Sequence, residues 1–203
     1  MNARPAGLAL LLLVSSLEAC SHTPGDAALR AGHPDAAANL YKSGAGAGRP
    51  DAAFKLGRLL DAGRADASRY GTAVSWYTRA CELGDRAGCH NAGVAYHDGT
   101  SGAGKDLDEA RAFYLKAAAK GFMQSQYNLG SLYADGYVAP ADDVEGYKWM
   151  LIAEKAARAC APTPLCDWVL RDPPGHRAKL RSRLPESGIR EAERKAAAWT
   201  PAP

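Results

Sequence analysis

Large aromatic side chains are scarce in this 203-residue chain, which has only three Phe, and so are blocks of like charge: 25 Lys and Arg against 22 Asp and Glu leave a net charge of +3. Sheet sandwiches are built from bulky faces, whereas the Ala and Gly that supply much of the 47% hydrophobic fraction suit closely packed helices, so an all-α fold is expected. So mild a charge does not call for a nucleic-acid partner, which would want a concentrated basic patch, and none is expected. Catalytic signatures are missing too: the chain has no Ser-x-x-Lys pair, no Gly-x-Ser-x-Gly elbow and no His-Glu-x-x-His helix. Its acidic groups, Asp106, Asp108, Glu109 and Asp142, Asp143, Glu145, stand where helices are expected to begin, and there they complement the helix dipole. A chain of this length holds one domain with a real core.

The apolar run after Arg4, "AGLALLLLVSSLEAC", is too short to span a membrane but has the length of a signal peptide and ends in small residues. Leu17-Glu18-Ala19-Cys20 resembles the bacterial lipobox, in which the cysteine becomes the lipidated first residue of the mature protein. Glu18 departs from the small residue usual there, and secretion after Ala19 is the alternative. Ser21 after the cysteine, by the same resemblance, favours an outer-membrane lipoprotein facing the periplasm. Cys81, Cys89, Cys160 and Cys166 remain besides Cys20. In an exported, oxidising setting an even number at short spacing reads as disulfides, with free buried thiols as the alternative.

Glycine, by contrast, is abundant and ordered. Gly48, Gly57, Gly63, then Gly84, Gly93, Gly99, then Gly121, Gly130, Gly136 recur with steps of nine and six inside each triplet, and the triplets advance by 36 and 37 residues. The segments between them align, "FKLGRLLDAG" with "HNAGVAYHDG" and "YNLGSLYADG", and "AVSWYTRACELG" with "ARAFYLKAAAKG" and "GYKWMLIAEKAA"; "AANLYKSGAGAG" is an incomplete earlier copy. Each unit reads as two helices, A over 52–62, 88–98 and 125–135, and B over 69–83, 107–120 and 142–159. Glycine at a helix end fits a left-handed cap. Inside a helix it costs up to ~1 kcal/mol relative to alanine, so its recurrence at Gly57, Gly93 and Gly130 implies a neighbour too close for a side chain. One such unit cannot bury its apolar face alone; stacked units can.

"QYNLGSLYADG" with "EGYKWMLIAEKA", preceded by "GTSGAGKDLDEARAFYLKAAAKG", resembles the Sel-one-like repeat, a relative of the tetratricopeptide repeat. That resemblance implies an α-solenoid with a C-terminal capping helix, for which Ile189, Ala192, Ala196 and Trp199 offer one face. The organisation expected is a signal peptide at 1–19, a lipidated tether at 20–34, repeats at 35–160, and a disulfide-bearing turn with the cap at 161–203. The resemblance also implies a groove on helix A for a protein or peptide partner, formed by Phe54, Arg58 and Asp61, His90, Val94 and His97, and Tyr127 and Ser131. Phe54 and Tyr127 are equally readable as packing residues, and Trp76, Phe113 and Trp149 as core.

Cys81 and Cys89 flank the Gly84 turn, and antiparallel helices can bring such residues within the roughly 4.4–6.8 Å between Cα atoms that a disulfide needs. Cys160 and Cys166 flank the turn "APTPL" and form a second local pair. His90 and His97, seven apart on one face with Cys89 nearby, are a weak metal motif because their aligned positions hold unrelated residues. From Gly99 the chain reads Gly-x-x-x-x-Gly-Lys, but Asp106 stands where a phosphate-binding loop needs Ser or Thr, and a helix rather than a strand precedes it. The run "RAKLRSR" from Arg177 reads as a solvated helix face or a surface for an anionic partner. No cofactor is implied. The function expected is an envelope adaptor that is not an enzyme, with a cell-wall hydrolase or a purely structural lipoprotein as alternatives.

Overall fold

The computed structural model describes residues 23–137, 142–160 and 162–202, so the leader and Cys20 lie outside it. The described residues form twelve helices and no strand. Six of them are the three expected A–B pairs: α3 (Pro50–Asp61) with α5 (Ala73–Glu82), α6 (Arg86–Asp98) with α7 (Leu107–Ala119), and α8 (Met123–Ala134) with α9 (Asp143–Ala159). Proline at the first turn of α3, and Asp85, Asp106 and Asp142 accepting from the first free amides of α6, α7 and α9, set where these helices start. Helix α5 begins later than the expected residue 69. Tyr70 ends a one-turn helix, α4 (Ala67–Tyr70), and Gly71 at φ 83° turns the chain before α5.

The mid-helix glycines mark where helices touch. A Cβ on Gly57 would stand 2.8 Å from the Tyr77 ring, one on Gly93 2.6 Å from Tyr114, and one on Gly130 2.5 Å from Met150. Tyr77, Tyr114 and Met150 hold the same place in their B helices, so each unit closes through one repeated contact, helix A backbone against helix B side chain. Burying each such side chain contributes about 1.5–3 kcal/mol.

That contact recurs once more where the sequence predicts only a tether. Residues 24–30 form α1 (Pro24–Arg30), packed on α2 (Pro34–Gly46), and a Cβ on Gly25 would lie 2.4 Å from the Tyr41 ring. Thr23 and Asp26 cap α1 reciprocally, and Asp26 also accepts from Tyr41 Oη at 2.6 Å and Lys55 Nζ at 2.7 Å. Helices α1 and α2 are therefore a truncated fourth unit ahead of the three full ones, and of the tether expected over 20–34 the part from Pro24 onward belongs to this helical unit, while 20–22 lie outside the described residues.

The C-terminal cap is three helices rather than one. Helix α12 (Glu186–Ala198) packs on α9 through Ile189, Ala192 and Ala196, and Trp199 meets Trp149 edge-on at 6.1 Å. Before it, α10 (Pro164–Arg171) and α11 (His176–Arg183) fold back on α8 and α9. The basic run on α11 is a solvated face, with Lys179, Arg181 and Arg183 exposed, and it also ties the cap down: Arg177 pairs with Glu154 at 2.6 Å, Lys179 with Asp135 at 3.0 Å, and Arg181 donates to Tyr147 Oη at 3.2 Å. Arg183 caps the carbonyl end of α8 at Tyr133 and Ala134 and pairs with Asp143 at 2.7 Å.

Candidate functional site

The residues expected to line a groove divide into two sets. Phe54, His90 and Tyr127, one per unit at the same register, point into the junctions. Phe54 lies tilted against Tyr77 with centroids 5.9 Å apart. The His90 ring sits 4.8 Å from Phe122 and 5.9 Å from Tyr114, with Nδ1 2.9 Å from Ser125 Oγ. Burial pushes the His90 imidazole down to about 4, so it is neutral at physiological pH. Tyr127 is fully covered: Trp168 of α10 lies 4.7 Å over it and its hydroxyl donates to Asp172 at 2.7 Å. These three are packing residues: Phe54 meets helix B of its own unit, and His90 and Tyr127 meet the element that follows theirs. For Tyr127 that element is α10–α11, which stands where the next helix would stack.

The second set faces outward. Arg58 is exposed, Val94 and Ser131 are half-buried, and the Ser131 hydroxyl turns back to the Asn128 carbonyl at 2.8 Å. Asp61 accepts from Tyr77 Oη at 3.2 Å and from Ser101 Oγ, tying the loops of the first two full units together. His97 lies at the rim beside Asp98 at 2.7 Å. An open face therefore survives on the first two full units, around Arg58, Asp61, Val94 and His97, and is closed off on the third.

The pairs of cysteines meet as the turns allow: Cys81 bonds Cys89 with Cα atoms 4.5 Å apart, and Cys160 bonds Cys166 at 6.8 Å. The first bridge joins α5 to α6 and the second ties α10 to the end of α9. The His90 and Ser125 pair has no carboxylate to orient it, and Ser125 is wholly buried, so no substrate reaches its hydroxyl. His176 lies 3.3 Å from Asp135 and 4.0 Å from Asp172, inside the contact that holds α11 down. Among the described residues no three His, Cys, Asp or Glu side chains converge as metal ligands; His90 bonds to Ser125 and His97 to Asp98. After the Gly99–Lys105 loop, the α7 amides that would face phosphate instead donate to Asp106, from Asp108 and Glu109 at 3.0 Å each.

One feature escapes the sequence reading. A cleft of about 430 Å³ opens between α2 and α5, lined by Lys42, Ala45, Gly46, Ser75, Trp76 and Arg79. Phe113 and Trp149, the counterparts of Trp76, are 6% and 5% exposed as expected of core residues, but Trp76 stays half-buried beside the cleft. Its indole donates to the Tyr70 carbonyl at 2.7 Å. The signal was present in the small-residue run "SGAGAG", Ser43–Gly48, which leaves nothing to fill the space opposite Trp76.

The Sel1 repeat family matches residues 50–85, 86–122 and 124–158. Cytochrome c oxidase assembly factor 7 of Homo sapiens is 30% identical over 92 residues, which is 42% of this chain and 40% of that protein. Its Mus musculus counterpart is 30% identical over 95 residues, 44% of this chain and 41% of that protein. The chain thus spans about two fifths of the curated relatives it matches. A Sel1 repeat protein from Oxalobacter formigenes has a similar structure at TM-score 0.55 and 26% identity, covering 79% of this chain and 63% of that one. A protective antigen of uropathogenic Escherichia coli displaying an SLR fold aligns at TM-score 0.52 and 22% identity over 81% of this chain and 40% of the other, a likeness of fold alone.

Proposed function

The chain belongs to the Sel1 repeat family, and from that membership we propose that it is an exported, lipid-anchored adaptor that docks a protein partner in the bacterial envelope. Sel1 repeats generally bind protein partners, and their fold is typically a non-catalytic interaction scaffold. The observation that carries the reading is the open helix A face of the first two full units, where Arg58, Asp61, Val94 and His97 differ in chemistry from one unit to the next. Repeated backbone with varied side chains is what a face needs to recognise one particular surface. The mammalian relatives are named as assembly factors, which agrees with an adaptor. Leu17-Glu18-Ala19-Cys20 supports lipidation at Cys20, and Ser21 supports an outer-membrane position facing the periplasm.

Two measurements test this. A photoreactive amino acid at Arg58 or His97, with Arg190 on α12 as the exposed control, should crosslink one protein from the first two sites and none from the third. Capture at all three sites, or at none, overturns the adaptor reading. Metabolic labelling with palmitate should mark the chain and be lost in Cys20→Ala; an unlabelled wild type overturns the anchor.

A further inference from the structure

We propose that the cleft between α2 and α5 holds the anionic headgroup of a membrane phospholipid, an inference that takes its orientation from the anchored reading above. Its lining is suited to a phosphate on a small polar backbone: two cations, Lys42 and Arg79, one hydroxyl, Ser75, an indole wall, and a floor of Ala45 and Gly46. None of the lining residues is acidic. Arg79 contacts Glu82 at 3.3 Å, but both side chains are exposed, at 46% and 58%, so this pair yields readily to a stronger anion. Among the described residues no carboxylate pairs with Lys42, whose ammonium lies 5.8 Å from the Tyr70 ring centre. Cations beside a half-exposed tryptophan are the combination that sits at a lipid headgroup layer.

The cleft is particular to this junction. The place of Lys42 is taken by Thr78 and Leu115 in the following B helices, and the Trp76 position is shut there by Phe113 and Trp149. It also lies at the end of the molecule that an anchor would hold. Gly25 rests on Tyr41, the neighbour of Lys42, so α1 starts beside the C-terminal half of α2. Three residue steps, across Ser21 and His22, lead from Cys20 to Thr23, the cap of α1. At about 3.3–3.6 Å per extended residue they reach roughly 10 Å. An acylated Cys20 therefore keeps this end of the repeat stack against the headgroups.

The test uses the mature chain from residue 20 with Cys20→Ser, so that no acyl group contributes, sedimented with vesicles of phosphatidylcholine alone or mixed with phosphatidylglycerol. Binding is expected only to the mixed vesicles. A cation near an anionic surface contributes about fivefold in affinity, so Lys42→Glu with Arg79→Glu should weaken binding by about thirtyfold or more. Arg190→Glu with Lys195→Glu, on exposed α12, should leave it unchanged, and helical circular dichroism checks that each variant folds. Equal binding to neutral vesicles, no loss in the Lys42 and Arg79 variant, or equal loss in the α12 control overturns the proposal. So does displacement from vesicles by millimolar inorganic phosphate at fixed ionic strength, which would assign the cleft to free phosphate. Because the probe carries no acyl chain, failure here is distinct from failure of palmitate labelling at Cys20.

Discussion

Replacing Gly93 with alanine should destabilise the protein, although alanine is the better helix former. Gly93 lies inside α6, where alanine favours the helix by up to ~1 kcal/mol. Against this, the added Cβ would stand 2.6 Å from Tyr114 Cδ1 and 2.7 Å from Cε1, nearer than real methyl groups approach a ring. Tyr114 is 1% exposed and hemmed in by His90 and His97, so it has little room to yield. Forcing an extra methyl into such a site costs roughly 2–3 kcal/mol. The net loss should be about 1–2 kcal/mol, a fall in Tm of roughly 2–8 °C for a domain of this size. Thermal and urea unfolding of the oxidised protein, followed by circular dichroism, measure it. Gly46→Ala, at a helical glycine with open space around it, is the control and should be neutral or stabilising. In a Tyr114→Leu background, which removes the ring, Gly93→Ala should cost less than in the wild type. A Gly93→Ala protein as stable as the wild type would refute the account of the glycine register.

Breaking the Cys81–Cys89 bridge by a double serine substitution should lower stability by about 2–3 kcal/mol, as a loop of this length predicts, read as a shift in the urea midpoint; an unmoved midpoint would place the bond outside the stabilising set. His90, held down to about 4 by burial, stays neutral in the fold while the unfolded chain takes up its proton near 6.5. Stability should therefore fall by roughly 2–3 kcal/mol as pH drops from 6.5 to 4. His90→Phe, the residue its aligned position carries at Phe54, should flatten that limb of the pH profile, and a slope retained in the variant would clear His90 of the effect. Burial alone would raise the Asp26 carboxyl, but its bonds from Lys55 and Tyr41 outweigh it and hold the group well below the usual carboxylate range. Stability from Asp26 is present above the ordinary carboxylate pKa and lost on acidification below it. Asp26→Asn should raise amide hydrogen exchange in α1 at neutral pH without affecting α8 or α9; unchanged exchange in α1 would show that other contacts hold it.

The three full units were legible because a tight backbone contact demands glycine, and glycine at fixed intervals leaves a visible mark. Helix α1 uses the same contact but escaped the pattern. Gly25 precedes Tyr41 by 16 residues, where Gly57 precedes Tyr77 by 20 and Gly93 precedes Tyr114 by 21, so a search at constant spacing passes over it. The groove was only half legible. Tyr127 looks like Phe54 and His90 in sequence, and what separates open from covered is the fold-back of α10 and α11, whose contacts to Tyr127 cross 45 and 49 residues and leave no local periodicity. The basic run on α11 is the solvated face its sequence suggests, but its ion pairs were not legible, since the carboxylates Glu154, Asp135 and Asp143 lie far away along the chain. The cleft at Trp76 depends on side chains that are absent, and small residues advertise space only once their neighbour is known.

The contact of helix A glycine with helix B side chain, made at every junction with little variation, has a consequence for how such a chain can change its size. Duplicating a stretch of 36 or 37 residues inside 50–158 supplies a new junction that already fits both neighbours. An insertion inside helix A or helix B would shift the glycine off its partner, whereas the loop between them already varies in length from unit to unit. The two termini of the array are unaffected by such an event, because Asp26 holds the first unit and Asp172 the last through bonds that lie outside the duplicated stretch. Recognition surface can therefore be added in whole steps of one unit, and each step leaves the first unit and the closing helices where they were.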